Sequence, residues 1–312
     1  MNIEIIEPCG YSKTLSNLLE VANKARYCFP NSKIVLLGNI LNGEQVKNEL
    51  LKLNILIIDL PYEGFEDYIK TIDENTVVIT SPYGTEEKFF KILKKRKIVY
   101  FDATSPSTLN KLELIKKAKF YQKIIFVGNL NTIEENFLAN STNHKFYFYD
   151  MNNESVNNNL VFSKKFNKKS TQIIYQSELA NYNLSLALHK LKNYLPEAQI
   201  NHTISDENFE KKKTLLDKIK NDDVLLIVSS NKKSDKYIVE YYHLNTVHVY
   251  YATISSVQEA INLNIRKDRK IYLISDGSVS REKIDEIYNY FKYKDIQGEL
   301  LDQQSKPAIQ NL

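Results

Sequence analysis

The chain has 312 residues, with 42 basic and 38 acidic side chains for a net charge of +4. That balance excludes nucleic-acid recognition by charge alone, and 43% hydrophobic with 26% charged residues describes a globular protein rather than a disordered one. The two cysteines, Cys9 and Cys28, exclude a disulfide framework and any cluster held by three or more thiolates of one chain, while eight glycines leave little room for glycine-rich phosphate loops.

The length suits two or three domains. No stretch reaches the length of apolar sequence needed to span a bilayer. The opening residues Met1–Glu7 lack a basic region followed by an apolar run. The expectation is a cytoplasmic protein without membrane or nucleic-acid partners.

Short apolar runs predict strands at Ile3–Ile6, Lys33–Leu37, Ile55–Ile58, Thr76–Thr80, Ile98–Phe101, Lys123–Val127, Phe146–Tyr149, Thr171–Tyr175, Val224–Val228, Thr246–Tyr250 and Lys270–Ile274. Continuous runs of this length fit strands buried on both faces. Between them, Ser16–Tyr27 sets Leu18, Leu19, Ala22 and Ala25 on one helical stripe, and Glu44–Leu53, Glu86–Lys95 and Leu179–Leu195 read the same way. Alternating strands and helices predict α/β units with parallel sheets and right-handed crossovers. Fresh starts near Lys97 and Gln199 divide the chain into α/β units at 1–96, 97–196 and 197–292, with a polar tail at 293–312. The Asn- and Lys-rich stretch Asn152–Lys169 reads as a surface loop.

Motifs for dinucleotide, nucleoside-triphosphate, zinc and serine-hydrolase chemistry are absent, and the five histidines show no metal-ligand spacing. More telling are six polar runs that directly follow predicted strands. They are Pro8–Ser12, Ser81–Thr85, Asp102–Pro106, Gly128–Thr132, Ser229–Asp235 and Ser275–Ser280. Open α/β sheets bind ligands beyond the carboxyl ends of their strands. Together the runs predict a shared polar cleft, the plainer alternative being six separate turns and helix caps.

The order and spacing of these runs resemble the IspH/LytB family, the 4-hydroxy-3-methylbut-2-enyl diphosphate reductases. Where that family has Pro-Arg-Gly-Phe-Cys, this chain has Pro8-Cys9-Gly10-Tyr11-Ser12. Leu-Gly-Glu-Ile-Val-His-Asn is matched by Leu37-Gly38-Asn39-Ile40-Leu41-Asn42-Gly43, and Ser-Ala-His-Gly by Ser81-Pro82-Tyr83-Gly84. Asp-Ala-Thr-Cys-Pro is matched by Asp102-Ala103-Thr104-Ser105-Pro106, and Gly-His-x-x-His-Pro-Glu by Gly128-Asn129-Leu130-Asn131-Thr132-Ile133-Glu134. Gln-Thr-Thr-Leu is matched by Gln176-Ser177-Glu178-Leu179, Gly-Ser-x-Asn-Ser-Ser-Asn by Ser229–Asp235, and Thr-Ala-Gly-Ala-Ser by Ser275–Val279. Each motif is weak alone; their common order carries the resemblance over residues 1 to about 290.

The resemblance implies an α/β fold of three similar subdomains in a trefoil around a central cavity. It also implies a 4Fe–4S cluster held there by three cysteines, with histidines, a threonine, serines and an asparagine on the diphosphate and a glutamate relaying protons. It implies the last reduction of the non-mevalonate isoprenoid pathway. Carried over residue by residue, the first two cysteine positions are Ser12 and Ser105, and His202 lies nearest the third. Serine hydroxyls are hard and stay protonated near neutral pH, so they do not replace thiolates on iron.

The three histidine positions become Asn42, Tyr83 and Thr132. The proton-relay acid corresponds to Glu134 and the threonine to Ser177; read on its own, Glu134 is equally an ordinary acid in the first turn of a helix. Ser234 matches, and Asp235 replaces an asparagine, a charge that repels diphosphate and that Lys232 and Lys233 offset.

The expectation is therefore a LytB-like protein with no cofactor, working as a binding or regulatory protein on a small phosphorylated molecule or a protein partner. The alternatives are a divergent reductase with unusual cluster ligands, and a metal-free enzyme acting on a small phosphorylated compound through Ser105, Glu134 and Ser177.

Overall fold

The computed structural model describes residues 2–41, 43–119, 121–144, 146–151, 171–177, 181–200, 214–215, 217–230, 249–266 and 268–297. Among the described residues the apolar runs form three four-stranded sheets, every pair parallel. The first contains β2 (Ile34–Leu37), β3 (Ile55–Ile58), β4 (Val77–Ile79) and β5 (Tyr100–Phe101), in the order β3-β2-β4-β5. The second contains β6 (Lys123–Gly128), β7 (Phe146–Asp150), β8 (Thr171–Tyr175) and β9 (Gln199–Ile200), in the order β7-β6-β8-β9. The third joins β1 (Asn2–Ile5) to β10 (Val224–Val228), β11 (Tyr250–Ile254) and β12 (Lys270–Ser275), in the order β1-β12-β10-β11.

The helices whose bounds lie among the described residues include α1 (Lys13–Cys28), α2 (Glu44–Lys52), α3 (Phe65–Thr71, entered through a 3₁₀ turn at Tyr62–Gly64), α4 (Glu87–Lys95), α5 (Pro106–Lys117), α6 (Ile133–Asn140), α7 (Asn181–Tyr194), α8 (Val257–Ile261) and α9 (Arg281–Gln297). Among the described residues no helix is long and apolar enough to cross a membrane.

The chain divides into two compact units. One holds Met1–Ser12, Asn42–Gln45 and Asp206–Leu312, and the other Lys13–Leu41 and Val46–Ser205. The third sheet lies in the former, and the first two sheets lie in the latter. The strand grouping departs from the three consecutive stretches that the sequence suggested. Residues 2–5 pair with β12, Asn2 opposite Lys270 and Ile5 opposite Leu273. Tyr100–Phe101, beyond the expected boundary at 96, is the fourth strand of the first sheet. The strand expected at Thr246–Tyr250 is found at Tyr250–Ile254, because its register follows β10 with Val224 opposite Tyr250; residues 246–248 lie outside the described residues. The loop expected at Asn152–Lys169 and the tail from Gly298 also lie outside them.

Burial on both faces explains why β2, β4, β6, β10 and β12 are unbroken apolar runs. In β6, Ile124 and Phe126 meet Ile115, Phe137 and Leu138 on one face. Ile125 and Val127 meet Ile173, Ala187 and Leu191 on the other. Alternate residues thus feed two cores, one roofed by α5 and α6 and one by α7. In the first sheet, Val35, Leu37 and Val78 pack on Phe65, Ile69, Phe89 and Leu93, and the Tyr62 ring lies 5.4 Å from both Phe65 and Phe89. Each fully buried side chain of this size contributes about 1.5–3 kcal/mol relative to exposure. In the third sheet, Leu226, Ile271 and Leu273 pack under Ile284, Ile287 and Phe291 of α9.

Two loops of the first sheet are notched to receive α6. Gly38 and Gly84 have φ of +92° and +109°, and a Cβ there would stand 2.4 Å from Ile133 Cδ1 and 2.2 Å from Phe137 Cδ1, respectively. Only glycine gives both the left-handed backbone and the close approach.

At the start of the third sheet, Glu4 bridges Lys218 and Lys270, the latter at 2.9 Å. The hydrogen bonds from Lys218 and then Lys270 hold the Glu4 carboxyl below its ordinary range. A depressed acid contributes stability that is complete above its unfolded pKa and is lost as pH falls through the folded one. The Glu4→Gln variant is therefore expected to lose less stability than the parent between about pH 5 and pH 3. The bridge is part-exposed, so the difference is below about 1 kcal/mol. Denaturant titrations at several pH values measure it, and parallel curves for the two proteins refute it.

Candidate functional site

The polar strand ends gather within each unit. In the first unit, Ser275 Oγ donates to Gly10 O (3.1 Å) and Ser12 N to Gly277 O (2.9 Å). Ser230 N donates to Ser278 Oγ (2.9 Å), and Asp276 accepts from Ser229 Oγ and from both N and Oγ of Ser278. Hydroxyls and one carboxylate therefore line the carboxyl edge of β1, β12 and β10.

In the second unit the organising residue is Asp102, just after β5. Its Oδ1 accepts from Thr80 Oγ1 (3.0 Å), Thr104 N (2.9 Å) and Thr104 Oγ1 (2.7 Å). That turn delivers Ser105 as the N-cap of α5, with Pro106 at the first helical position, where a missing N–H costs nothing. Ser105 N also donates to Pro82 O (2.9 Å), tying this loop to Ser81–Thr85. Tyr83, in that neighbouring loop, is buried, and its hydroxyl accepts from Leu41 N (2.9 Å).

The buried face of α5 carries Thr108, Lys111, Leu112 and Ile115, a spacing of three, four and seven. Lys111 stands on that face at 0% exposure. Its Nζ lies 2.7 Å from Glu134 Oε1 and 2.8 Å from Ser177 Oγ. Glu134 is the second residue of α6, whose N-terminus is set by a capping box. Thr132 Oγ1 accepts from Glu135 N (3.2 Å), and Glu135 Oε2 accepts from Thr132 N (3.4 Å). Ser177 follows β8 and donates to Glu134 twice, from its N to Oε2 (2.7 Å) and from its Oγ to Oε1 (2.9 Å). Thr108 Oγ1 adds a longer bond to Oε1 (3.4 Å) and accepts from Ser105 Oγ (3.1 Å).

The result is one buried chain of contacts, Ser105–Thr108–Glu134–Ser177, with Lys111 across it. A carboxylate at 1% exposure is tolerable because three donors and a paired ammonium satisfy it. Among the described residues no ammonium pairs with the neighbouring Glu135. Burial raises its carboxyl above the ordinary range, opposed by the N–H groups of Thr132 and Asn131.

Of the residues that the sequence singled out, Ser105, Glu134 and Ser177 meet in this network, while Tyr83 lies in the adjoining loop. Thr132 is a helix cap with its hydroxyl engaged. Ser12 lies at the carboxyl edge of the third sheet in the other unit. Asn42, His202, Ser234 and Asp235 lie outside the described residues. Lys111 was not anticipated. The signal for it was available: a lysine in register with apolar residues on a helix opened by Ser-Pro.

Polar turns at the carboxyl edges of sheets covered on both faces are where α/β proteins of the ligand-binding kind place their sites. The family model described as LytB protein matches residues 3–292, and the chain belongs to that family. Among curated relatives, it is 25% identical over 294 residues to the apicoplast 4-hydroxy-3-methylbut-2-enyl diphosphate reductase of Plasmodium falciparum, covering 91% of this chain and 51% of the relative. The chain thus spans about half the length of that relative. A second relative, the 4-hydroxy-3-methylbut-2-enyl diphosphate reductase of Halalkalibacterium halodurans, is 22% identical over 237 residues, covering 75% of this chain and 73% of the relative.

The solved Plasmodium falciparum E-1-hydroxy-2-methyl-but-2-enyl-4-diphosphate reductase superposes with a TM-score of 0.66 at 22% identity, covering 92% of this chain and 87% of its own. A structure described as (E)-4-hydroxy-3-methyl-but-2-enyl diphosphate reductase, the terminal enzyme of the non-mevalonate pathway, superposes at 0.61 with 15% identity, covering 93% and 99%. The fold is therefore that of the IspH structures, as the sequence motifs implied.

Proposed function

We propose that this LytB-family chain works as a binding or regulatory protein, without an iron–sulfur cluster and without the reductase activity for which its relatives are named. The observation that carries the reading is the state of Ser105, at the position where the family resemblance expects a cluster cysteine. Its hydroxyl is buried and engaged on both sides, accepting from Thr108 N (3.2 Å) and donating to Thr108 Oγ1 (3.1 Å). A hydroxyl serving as helix cap is not a thiolate and does not match iron ligation.

The two cysteines add support. Cys9 packs beside the apolar core of the third sheet and Cys28 is exposed at the end of α1 in the other unit. Among the described residues no group of three His, Cys, Asp or Glu side chains is placed to hold a metal ion. The donor set therefore does not fit a cluster held by three thiolates.

Anaerobic reconstitution with iron and sulfide, followed by metal and sulfide analysis, tests the proposal. The expected result is no stable cluster and no turnover of 4-hydroxy-3-methylbut-2-enyl diphosphate with a reduced dye. A tetranuclear cluster near one per chain, with dye-driven turnover that is lost on denaturation, overturns the reading and favours a divergent reductase.

A further inference from the structure

Lys111 belongs to none of the strand-end motifs, yet it is the most deeply buried cation among the described residues, at 0% exposure. Its surroundings assign the protons. An ammonium only donates, so its contact with Ser177 Oγ uses a serine lone pair. The serine proton is then free to point at Glu134 Oε1, 2.9 Å away. Thr108 Oγ1 donates to the same oxygen, and Ser177 N donates to the other. Every donor converges on the carboxylate. Both carboxylate oxygens of Glu134 act as acceptors in this arrangement, and the hydroxyl proton of Ser177 is already committed.

We propose that Glu134 and Ser177 form a binding site for a primary ammonium group, and that Lys111 is its resident occupant, supplied by the chain itself. Lys111 is then a positioning residue. It fixes the charge of Glu134 and the direction of the Ser177 hydroxyl, and it blocks any chemistry that asks Glu134 to donate a proton. All three anchors lie in one unit, on α5, at the start of α6 and just after β8, so the side chain staples two helices to the carboxyl edge of the second sheet. The proposal is independent of the cluster question, since metal analysis answers that one and ammonium binding answers this one.

The test removes the occupant and offers it back from solution. In the full-length protein, Lys111→Ala leaves a carboxylate without its partner beside a void the length of a short alkylammonium. Thermal unfolding is followed with propylammonium, tetramethylammonium or sodium chloride at equal ionic strength. Without additive, the midpoint of Lys111→Ala is expected to fall by about 10 °C. Propylammonium should restore at least half of that loss, as binding to the folded state alone requires. Sodium and tetramethylammonium should not, and neither the parent nor the Lys111→Ala/Glu134→Gln double variant should gain.

Equal responses to the three salts, or equal gains by the double variant, overturn the proposal. If Lys111→Ala does not fold, Lys111→Met and Lys111→Met/Glu134→Gln take its place. A double variant within a few degrees of the parent, well above the single one, supports the pairing; a single variant as stable as the parent overturns it.

Discussion

Glu134→Ala is expected to destabilise the protein by about 3–5 kcal/mol, the range for breaking a buried ion pair from one side. The loss goes beyond one contact. Lys111 would be left charged at 0% exposure, and Ser177 N, Ser177 Oγ and Thr108 Oγ1 would lose their shared acceptor. The sign of the second mutation makes the argument specific. Adding Lys111→Met to Glu134→Ala removes the stranded charge, so the double variant should recover the part of the loss that the charge causes, while the Ser177 and Thr108 donors stay without their acceptor. Urea titration measures both. A Glu134→Ala variant within about 1 kcal/mol of the parent, or a double variant losing the sum of the single effects, contradicts the geometry.

Gly84→Ala should be nearly as damaging, at about 2–5 kcal/mol, for a different reason. The position has φ of +109°, which costs an L-residue about 1–2 kcal/mol. The new methyl would stand 2.2, 2.3 and 2.7 Å from Phe137 Cδ1, Cγ and Cε1, and overpacking adds about 1–3 kcal/mol. Phe137 is itself buried in the core of the second sheet, so it has no free space to retreat into. Phe137→Ala alone costs about 3–5 kcal/mol. Combined with Gly84→Ala it should cost less than the sum, because the clash disappears with the ring. Strict additivity would show that the two positions do not meet.

Much of the fold was legible because the strands are continuous apolar runs. Ile55–Ile58, Thr171–Tyr175 and Val224–Val228 were found at the expected residues, as was the buried stripe Leu18, Leu19, Ala22 and Ala25 of α1. Long-range pairing was not legible. Nothing local in Asn2–Ile5 says that its partner is Lys270–Leu273 rather than the strand that follows it in sequence. Helices α5 and α6 were missed because polar residues occupy their inner faces. Thr108 and Lys111 interrupt the stripe of α5, and Glu134 and Glu135 are buried at the head of α6.

The same interruption hid Thr108 and Lys111 of the candidate site. Ser105, Glu134 and Ser177 were visible through motif order, whereas Lys111 becomes meaningful only once α5 is seen to turn it inward. Tyr83 shows a milder limit. Its position marked it, but only the coordinates reveal that its hydroxyl is held by Leu41 N.

The pairing of β1 with β12 bears on how the molecule is made. The two strands are separated in sequence by most of the chain, Asn2 lying opposite Lys270. A chain synthesised from its N-terminus, at about 5–20 residues per second, exposes β1 long before β12. Residues 13–41 and 46–205, which hold the first two sheets, are all available before β10 and β12 emerge. Strand β1 is thus made well before its partner, and its apolar Ile3 and Ile5 wait for β12 in the meantime. Closing so long a loop is slow compared with local pairing. The third sheet is expected to form more slowly than the first two and to be the sheet most exposed to aggregation during synthesis.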